Sequence, residues 1–378
     1  MFHGLDDGQR QFTLAVEDFC RRETAMRRDR GAGSTDEVHN PAVAAKMAEL
    51  GWLGVAIPEE YGGSGGGLVD LCCFLESAYH GMAPIGAFPT SMIVGAWYLR
   101  FGNDEQKKEV LSGIAAGRVE SLALSEPGSG SDVGAAVCRA RPVPGGYLIT
   151  GQKSWSSNAH LADHLLVLCR TSEESTPHAG LTMFQVATTN PGVRISGIPS
   201  LAGRELNDVY FGDCFVPASA VVGAEGQAWM QIMAGLTFER IVIAALALGL
   251  ARRAFDDTVE YVRVREQFGR PVGTFQALRH RLADLATELE CCRLLVYDAA
   301  SQAGRDANRL SPRQASMAKL KVTETAKRVA LEGVQMMGAA GVAGEFDMER
   351  HLRMSLLTTI YGGTSEIQRE IIGKGIGL

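Results

Sequence analysis

The spacing of apolar residues changes twice along this chain of 378 residues. From about Asp6 to Gly117, residues such as Phe12 and Val16 recur at the three- and four-residue spacing of an amphipathic helix. Between Glu120 and Val222, short runs rich in β-branched and aromatic residues are separated by Gly, Pro and Asn clusters, which is typical of strands. From Gly226 the helical spacing returns. This order predicts an α+β fold in which a compact β domain follows one helical domain and precedes another.

The two changes of spacing give expected domain limits at residues 1–119, 120–224 and 225–378. In the last domain, Gln276–Ala300 and Pro312–Met337 are each long enough for a helix of a bundle. A loop is expected at Gly62–Gly67, because five glycines in six positions cannot hold a helix. In the middle domain, four runs are expected to form strands: Tyr147–Thr150, Leu165–Leu168, Leu181–Val186 and Asp208–Phe211.

Composition argues against several classes of protein. The formal net charge of -6 disfavours a general nucleic-acid binder, which would present a basic face. The eight cysteines show no spacing typical of a zinc site or a disulfide framework, so we expect reduced thiols, no metal and a cytoplasmic location. Met1–Arg10 lacks the layout of a signal peptide. The longest apolar run, Ile241–Leu250, is far shorter than the roughly 20 residues that span a bilayer, so we expect a buried helix and no integral membrane segment.

The C-terminal run Tyr361–Arg369 reads YGGTSEIQR. It resembles the C-terminal signature of the flavin-dependent acyl-CoA dehydrogenases, in many of which a catalytic glutamate directly follows the tyrosine. Gly362 stands at that position here. Isovaleryl-type and long-chain-type members instead carry the glutamate on a helix, directly before an arginine, and have a small residue after the tyrosine. The matching pair in this chain is Glu239-Arg240.

The resemblance therefore implies that Glu239 is the base that removes a proton next to a thioester carbonyl. It also implies that the backbone N–H of Gly362 donates a hydrogen bond to the enolate-like oxygen, a role that needs no side chain. Burial beside an apolar acyl chain should raise the pKa of Glu239, which suits a base working near neutral pH. Substrate contacts are implied for Ser131, Arg240, Tyr361 and Gly363.

The run Leu122–Asp132 resembles the flavin-loop signature of the same family. Its glycines and serines leave room for backbone N–H groups and small hydroxyls to approach a flavin. Trp155 resembles the tryptophan that packs on the flavin, and Ser157 keeps a hydroxyl where a threonine often bonds the ring. In this part of the chain the resemblance implies FAD contacts from Leu122, Leu124, Ser125, Gly130, Ser131, Trp155 and Ser157.

Three further segments resemble cofactor-binding segments of the family. Arg265–Pro271 with Gln276 resembles the segment that reaches the FAD of a neighbouring subunit, and an always-charged guanidinium suits a pyrophosphate. Gln335–Gly341 resembles a stretch that holds the adenosine portion, with Ala339 in place of a second glycine; its methyl group is tolerable if the backbone φ there is negative. The FAD contacts implied here are Arg265, Phe268, Gln276, Gln335, Gly338, Thr364 and Glu366, and the site would be complete only in an oligomer.

The resemblance covers essentially the whole chain and implies the acyl-CoA dehydrogenase fold: an N-terminal helical domain, a middle β domain and a C-terminal four-helix bundle. The implied reaction is FAD-dependent α,β-dehydrogenation of an acyl-CoA thioester to the trans-2-enoyl thioester. An electron-transferring flavoprotein is the implied electron acceptor, and a homotetramer built as a dimer of dimers is the implied assembly. Two alternatives stay open: a carrier-protein-bound acyl thioester as substrate, and a flavin-holding subunit of a heteromeric complex.

A hydrolase is a weaker alternative. Gly62–Gly66 satisfies the Gly-x-Ser-x-Gly pattern of a nucleophile elbow, but that elbow needs a strand running into it, and Pro58-Glu59-Glu60 stands there instead. The acyl group also stays open, because a helix-borne base is compatible with branched short chains and with long chains. Pocket depth depends on how Met92, Val94, Trp97 and their neighbours fold.

Overall fold

The computed structural model describes residues 4–29, 38–172, 176, 178–201, 203–304, 306 and 309–378. The chain divides into two compact units. The helical unit comprises Met1–Thr35, Gly66–Ala83 and Thr237–Leu378, and the mixed unit comprises Asp36–Gly65 and Pro84–Leu236.

The α-helices within the described ranges follow the predicted grouping into an early and a late set. In chain order they are α1 (Asp7–Asp29), α2 (Pro41–Glu49), α3 (Leu68–His80), α4 (Ala87–Phe101), α5 (Asp104–Ala115), α6 (Ala228–Val264), α7 (Gln276–Ala303), α8 (Pro312–Met337), α9 (Met348–Thr358) and α10 (Ser365–Gly375).

The strands of the mixed unit are β1 (Glu120–Ala123), β2 (Arg139–Val143), β3 (Gly146–Ser157), β4 (His164–Arg170), β5 (Leu181–Ala187), β6 (Val193–Gly197), β7 (Leu206–Pro217) and β8 (Val221–Val222). In the described residues they form one sheet in the order β6-β7-β3-β2-β4-β5-β8, with β1 parallel to β4. The helical unit holds only the short antiparallel hairpin of β9 (Glu266–Gln267) and β10 (Arg270–Pro271) among its described residues.

The sheet supplies the core of the mixed unit. Ile149, Leu165, Phe184 and Val209 come from four strands and are fully buried in one cluster. These strands contain the four runs predicted from the sequence. The sequence pattern missed β1, β2, β6 and β8. Strand β2 carries two arginines and a proline, and β6 has no fully buried residue.

Helices α7 and α8 begin where the sequence predicts. Pro312 occupies the first turn of α8, and the Ser311 side chain accepts a hydrogen bond from the backbone N–H of Gln314, so both residues favour a helix start at this point. The helix ends at Gly338, whose φ of 61° lies in the left-handed region that a glycine adopts without strain. The predicted Gly62–Gly67 loop is also present, and a short 3₁₀ turn rather than a strand precedes it, which removes the hydrolase elbow.

Helix α6 contains the predicted buried run. Ile241–Leu250 is apolar, and nearly all of its side chains are inaccessible to solvent. By length and composition α6 is the one helix of the described residues that could cross a membrane, but 78% of its apolar window is buried inside the protein. It is therefore a core helix.

A buried carboxylate joins three helices of the helical unit. Glu76 on α3 accepts hydrogen bonds from Arg252 on α6 at 2.7 Å and from the Tyr297 hydroxyl on α7 at 2.5 Å. A buried carboxylate is stable only when such partners replace its water, so these contacts fix α6 against its neighbours. Helix α6 also carries Glu239.

Candidate active site

Glu239 has the environment of a base rather than of a surface acid. Its Oε2 atom is inaccessible to solvent and has no hydrogen-bond partner among the described residues. Burial raises the pKa of Glu239 to about 7, and the positive charges of Arg240 and Lys319 counteract that rise only in part. The sequence predicts a raised pKa from burial beside an apolar acyl chain, and burial within the protein already raises it. Half of such carboxyls are ionised near neutral pH, and the ionised ones can accept a proton.

The turn after α9 presents backbone rather than side chains to Glu239. Gly362 and Gly363 have φ values of 64° and 83°, a region that residues with a Cβ rarely adopt. A Cβ added to Gly362 would lie 3.6 Å from the carboxyl carbon of Glu239 and would overlap Cδ1 of Ile243. The missing side chain at residue 362 therefore keeps free the space beside the Glu239 carboxyl group.

Two buried side chains hold the carbonyls of this turn. Lys319 Nζ donates to the Gly363 carbonyl oxygen at 2.7 Å. Gln368 Nε2 donates to the carbonyl oxygens of Gly362 and Gly363 at 3.0 and 2.9 Å. Thr364 then caps α10 by accepting a hydrogen bond from the backbone N–H of Ile367 at 3.4 Å. The turn is thus constrained although its two glycines have no side chains.

The predicted flavin loop lies in the mixed unit, and a buried ion pair supports it. Lys153 Nζ donates to Glu126 Oε1 at 2.7 Å and to the Leu124 carbonyl oxygen at 2.9 Å. Glu126 also accepts hydrogen bonds from the backbone N–H groups of Val137 and Cys138. Burial opposes ionisation of Glu126, but Lys153 and the two N–H groups together hold its pKa below the usual range. These buried contacts therefore hold the loop in place.

Trp155 lies next to this loop with an unusual backbone. Its φ of 64° is left-handed, and the β3–β7 pairing is irregular between Lys153 and Ser156, as in a β-bulge. Bulges redirect a side chain out of the regular alternation of a strand. The Trp155 side chain is 56% exposed, which is unusual for so large an apolar group. A flat ligand would cover this surface.

The remaining predicted contacts lie in the helical unit. Arg265, Phe268 and Gln276 are exposed at and after the β9–β10 hairpin, and Phe268 is 93% exposed. Thr364 and Glu366 line a cavity of about 460 Å³ at the start of α10. Gln335 is exposed in the last turn of α8, and Gly338 follows it. Ala339 lies in a 3₁₀ turn and is not in the left-handed region, so its methyl group adds no backbone strain.

These residues fit a flavin dinucleotide. Cβ atoms added to Gly128 or Gly130 would meet no heavy atom within 4 Å, so the loop faces open space. Ser125 and Ser131 supply hydroxyls there, and Trp155 supplies an uncovered aromatic face. FAD offers matching groups, namely a flat ring system and a pyrophosphate.

Sequence reasoning missed several polar residues next to the predicted ones. Lys319 and Gln368 look like ordinary helix-surface residues in the sequence, and both are fully buried. Glu205 is half-buried beside Ser157, which hydrogen-bonds to it. Burial raises the pKa of Glu205 to about 7, and the Ser157 hydrogen bond counteracts part of the rise. A periodic pattern identifies apolar faces but does not identify a buried polar exception within them.

The chain matches three protein-family domains in the predicted order. These are the acyl-CoA dehydrogenase N-terminal domain over residues 6–118, the middle domain over residues 121–214 and the C-terminal domain over residues 226–377. The chain is 36% identical over 366 residues to an acyl-CoA dehydrogenase of Bacillus subtilis (strain 168), and the aligned region covers 95% of each chain. It is 34% identical to a mitochondrial isovaleryl-CoA dehydrogenase of Oryza sativa subsp. japonica, covering 98% of this chain and 91% of that one.

A solved structure agrees with these matches. The glutaryl-CoA dehydrogenase of Mycobacterium smegmatis in complex with FADH₂ superposes with a TM-score of 0.89 at 27% identity, covering 99% of this chain and 95% of that one. Helical, β and helical domains carrying these motifs define a flavin-linked oxidoreductase. The chain belongs to the acyl-CoA dehydrogenase family. The predicted family, fold and enzyme class are thereby confirmed.

Proposed function

We propose that Glu239 is the catalytic base of an acyl-CoA dehydrogenase. The observation that carries this proposal is the Glu239 Oε2 atom, which is buried and without a hydrogen-bond partner beside the side-chain-free position Gly362. A buried carboxyl oxygen without a partner costs folding free energy, so its retention needs a functional reason. Removal of an acidic C–H proton supplies that reason.

The proposed mechanism uses two groups of this chain together with bound FAD. Glu239 accepts the α-proton of the acyl thioester and becomes neutral, which suits a dry environment. The backbone N–H of Gly362 donates to the thioester oxygen as negative charge develops on it. Bound FAD would accept the β-hydrogen as hydride. The carbonyls of the turn are already bonded to Lys319 and Gln368, so the turn does not have to reorganise during the reaction.

We propose that the cofactor contacts are the residues assigned from the family resemblance. The exposed Trp155 and the open loop glycines support the flavin contacts, and the cavity at Thr364 and Glu366 supports a contact to another part of FAD. The exposure of Arg265 and Phe268 supports their contact with the FAD of a neighbouring subunit. The full set is Leu122, Leu124, Ser125, Gly130, Ser131, Trp155, Ser157, Arg265, Phe268, Gln276, Gln335, Gly338, Thr364 and Glu366.

For the substrate we propose a branched-chain acyl-CoA. The isovaleryl-CoA dehydrogenase relative supports this proposal, because its name specifies such a thioester. We propose thioester contacts from Ser131, Arg240, Tyr361 and Gly363. The buried Nε atom of Arg240 has no hydrogen-bond partner among the described residues, which supports a polar contact from it. The comparisons do not favour a carrier-bound substrate or a non-catalytic subunit.

The wider setting is also a proposal. We propose electron transfer to an electron-transferring flavoprotein, a cytoplasmic location, and assembly as a homotetramer with domain limits at residues 1–119, 120–224 and 225–378. Sedimentation would measure the number of subunits in the assembly, and limited proteolysis would measure the domain limits.

The test is an anaerobic titration of the FAD-loaded protein with straight, branched and cyclic acyl-CoAs, followed at the flavin absorbance maximum. We expect branched acyl-CoAs to bleach the flavin fastest. In Glu239→Gln the rate should fall at least about 100-fold, because general-base catalysis typically contributes that much or more.

The matched control is Glu260→Gln, which changes an exposed glutamate on the same helix. It should bleach like the unmodified protein. Normal FAD content in Glu239→Gln would show that its site is intact. Bleaching at an unchanged rate in Glu239→Gln would reject the proposed base, and a protein that no acyl-CoA bleaches would reject the substrate class.

A further inference from the structure

Lys319 is a fully buried lysine on α8. A buried ammonium loses its hydration, so such a residue persists only where polar or charged neighbours compensate. Here the compensation comes from the Gly363 carbonyl oxygen at 2.7 Å and from the negative charge of Glu239. Lys319 is thus linked both to the turn and to the proposed base.

The charged groups that act on this lysine come from three helices. They are Glu239 and Arg240 on α6, Glu366 on α10 and Glu324 on α8 itself. Burial lowers the pKa of Lys319 to about 8, and Glu239 counteracts this fall most strongly. The relation is mutual, since the positive charges of Arg240 and Lys319 favour the ionised form of Glu239.

The same ammonium restricts the turn. Peptide groups are planar, so a bond to a carbonyl also fixes the N–H on the other side of that peptide. Lys319 binds the Gly363 carbonyl, and Gln368 binds the carbonyls of Gly362 and Gly363. These bonds fix the planes of the peptides that follow Gly362 and Gly363, so the turn that carries the Gly362 N–H is held on its C-terminal side.

We propose that Lys319 is a positioning residue that holds the Gly362–Gly363 turn and favours the carboxylate form of Glu239. One cation thereby helps to hold the turn that carries the Gly362 N–H and favours the ionised form of the proton acceptor. The inference rests on the proposed role of Glu239 as base. Loss of a turn contact alone would slow the reaction equally at every pH. Loss of a charge beside the base would instead move the pH at which the rate rises.

The experiment compares Lys319→Met, Gln368→Leu and the exposed control Arg328→Met in the FAD-loaded enzyme. The measured quantity is the rate of flavin reduction by a saturating acyl-CoA as a function of pH. In Lys319→Met the midpoint should rise by about one pH unit, which is about tenfold slower reduction on the acidic side. Gln368→Leu, which removes turn contacts but no charge, should be slower with an unmoved midpoint. Arg328→Met, which removes a charge on the same helix, should be unchanged.

An unmoved midpoint in Lys319→Met, with reduction abolished in Glu239→Gln, would overturn this inference and leave the proposed base intact. Unchanged reduction in Glu239→Gln would instead reject the base itself. If Lys319→Met does not fold, Lys319→Gln keeps a donor for Gly363. Its effect on thermal unfolding at pH 7.5 should then be smaller in a Glu239→Gln background, where no carboxylate remains to attract the lysine. Equal effects in both backgrounds would also overturn the inference.

Discussion

A side chain at Gly362 would begin 3.6 Å from the carboxyl carbon of Glu239. The two positions therefore give access to one space from two different elements, the turn after α9 and the helix α6. Two carboxylates so close would repel each other and could not both ionise at neutral pH. A single acid can be supplied from either element, and this chain supplies it from α6.

Moving the acid to the turn should therefore restore part of the activity. We expect Glu239→Gly to lose flavin reduction, and Glu239→Gly/Gly362→Glu to regain at least about tenfold of it, since a general base is again present. The regain should be incomplete, because a non-glycine residue at a φ of 64° costs about 1–2 kcal/mol. Stopped-flow absorbance with one acyl-CoA measures both variants.

Ile243 gives this experiment its control. An added Cβ at Gly362 overlaps Cδ1 of Ile243, and Ile243→Val removes that one atom. Adding Ile243→Val should raise the activity of the double variant, whereas in the unmodified protein it should change the rate little. A double variant as inactive as Glu239→Gly, with or without Ile243→Val, would mean that the two elements do not share a space for the acid.

Glu239→Gln should stabilise the protein while abolishing its reaction. The pKa of Glu239 is raised in the folded state from 4.5 to about 7, so the folded state holds a proton that the unfolded chain has lost. The acid therefore destabilises the fold as pH rises from 4.5 to 7, by on the order of 1–3 kcal/mol above that range. Urea unfolding should show the Gln variant more stable at pH 8 and equal at pH 4. An equal difference in stability between the Gln variant and the unmodified protein at pH 4 and pH 8 would contradict the raised pKa of Glu239.

Trp155 should be replaceable by glycine without loss of stability but with loss of FAD. At a φ of 64°, glycine relieves about 1 kcal/mol of strain that alanine retains. We therefore expect unfolding of the flavin-free protein to require more urea for Trp155→Gly than for Trp155→Ala. Both variants should retain less FAD after gel filtration, since both lose the exposed ring. Full FAD content in either variant would reject the packing role.

Lys153 and Glu126 should be coupled in stability. Lys153→Met leaves a buried carboxylate without its cation, which typically costs about 3–5 kcal/mol. Lys153→Met/Glu126→Gln should recover at least half of that loss, because it removes the buried charge and its amide oxygen can still accept a hydrogen bond from one of the two N–H groups, those of Val137 and Cys138. Urea unfolding at pH 7 of the two single variants and the double variant measures this coupling. If the changes in the free energy of unfolding simply add, Lys153 and Glu126 do not interact.

The sequence predicted the elements well where local signals are strong. Helix α8 has Ser311 and Pro312 at its start and Gly338 at its end, and it was predicted to the residue. Strand β2 was missed because its five residues include two arginines and a proline and only one fully buried residue, so its sequence lacks the apolar run of a typical strand. Tertiary context decides such strands.

The candidate site divides in the same way. Glu239 and the Gly362–Gly363 turn were assigned from the sequence through a family signature. Lys319 was not, because a lysine between alanine and leucine on a helix reads as a solvated residue until neighbouring helices cover it. The pKa of a base depends on charges that are distant in sequence, so no local pattern encodes it.

The ion pair between Lys153 and Glu126 lies at the predicted flavin loop and affects how the protein would bind its cofactor. Lys153, Glu126 and the two N–H groups that bind Glu126 all belong to the mixed unit, so the protein itself makes the contacts that support the loop. We therefore expect the loop to become ordered when the mixed unit folds, without FAD. Binding of FAD then requires little further loss of chain entropy, so newly synthesised protein without FAD should be able to bind it.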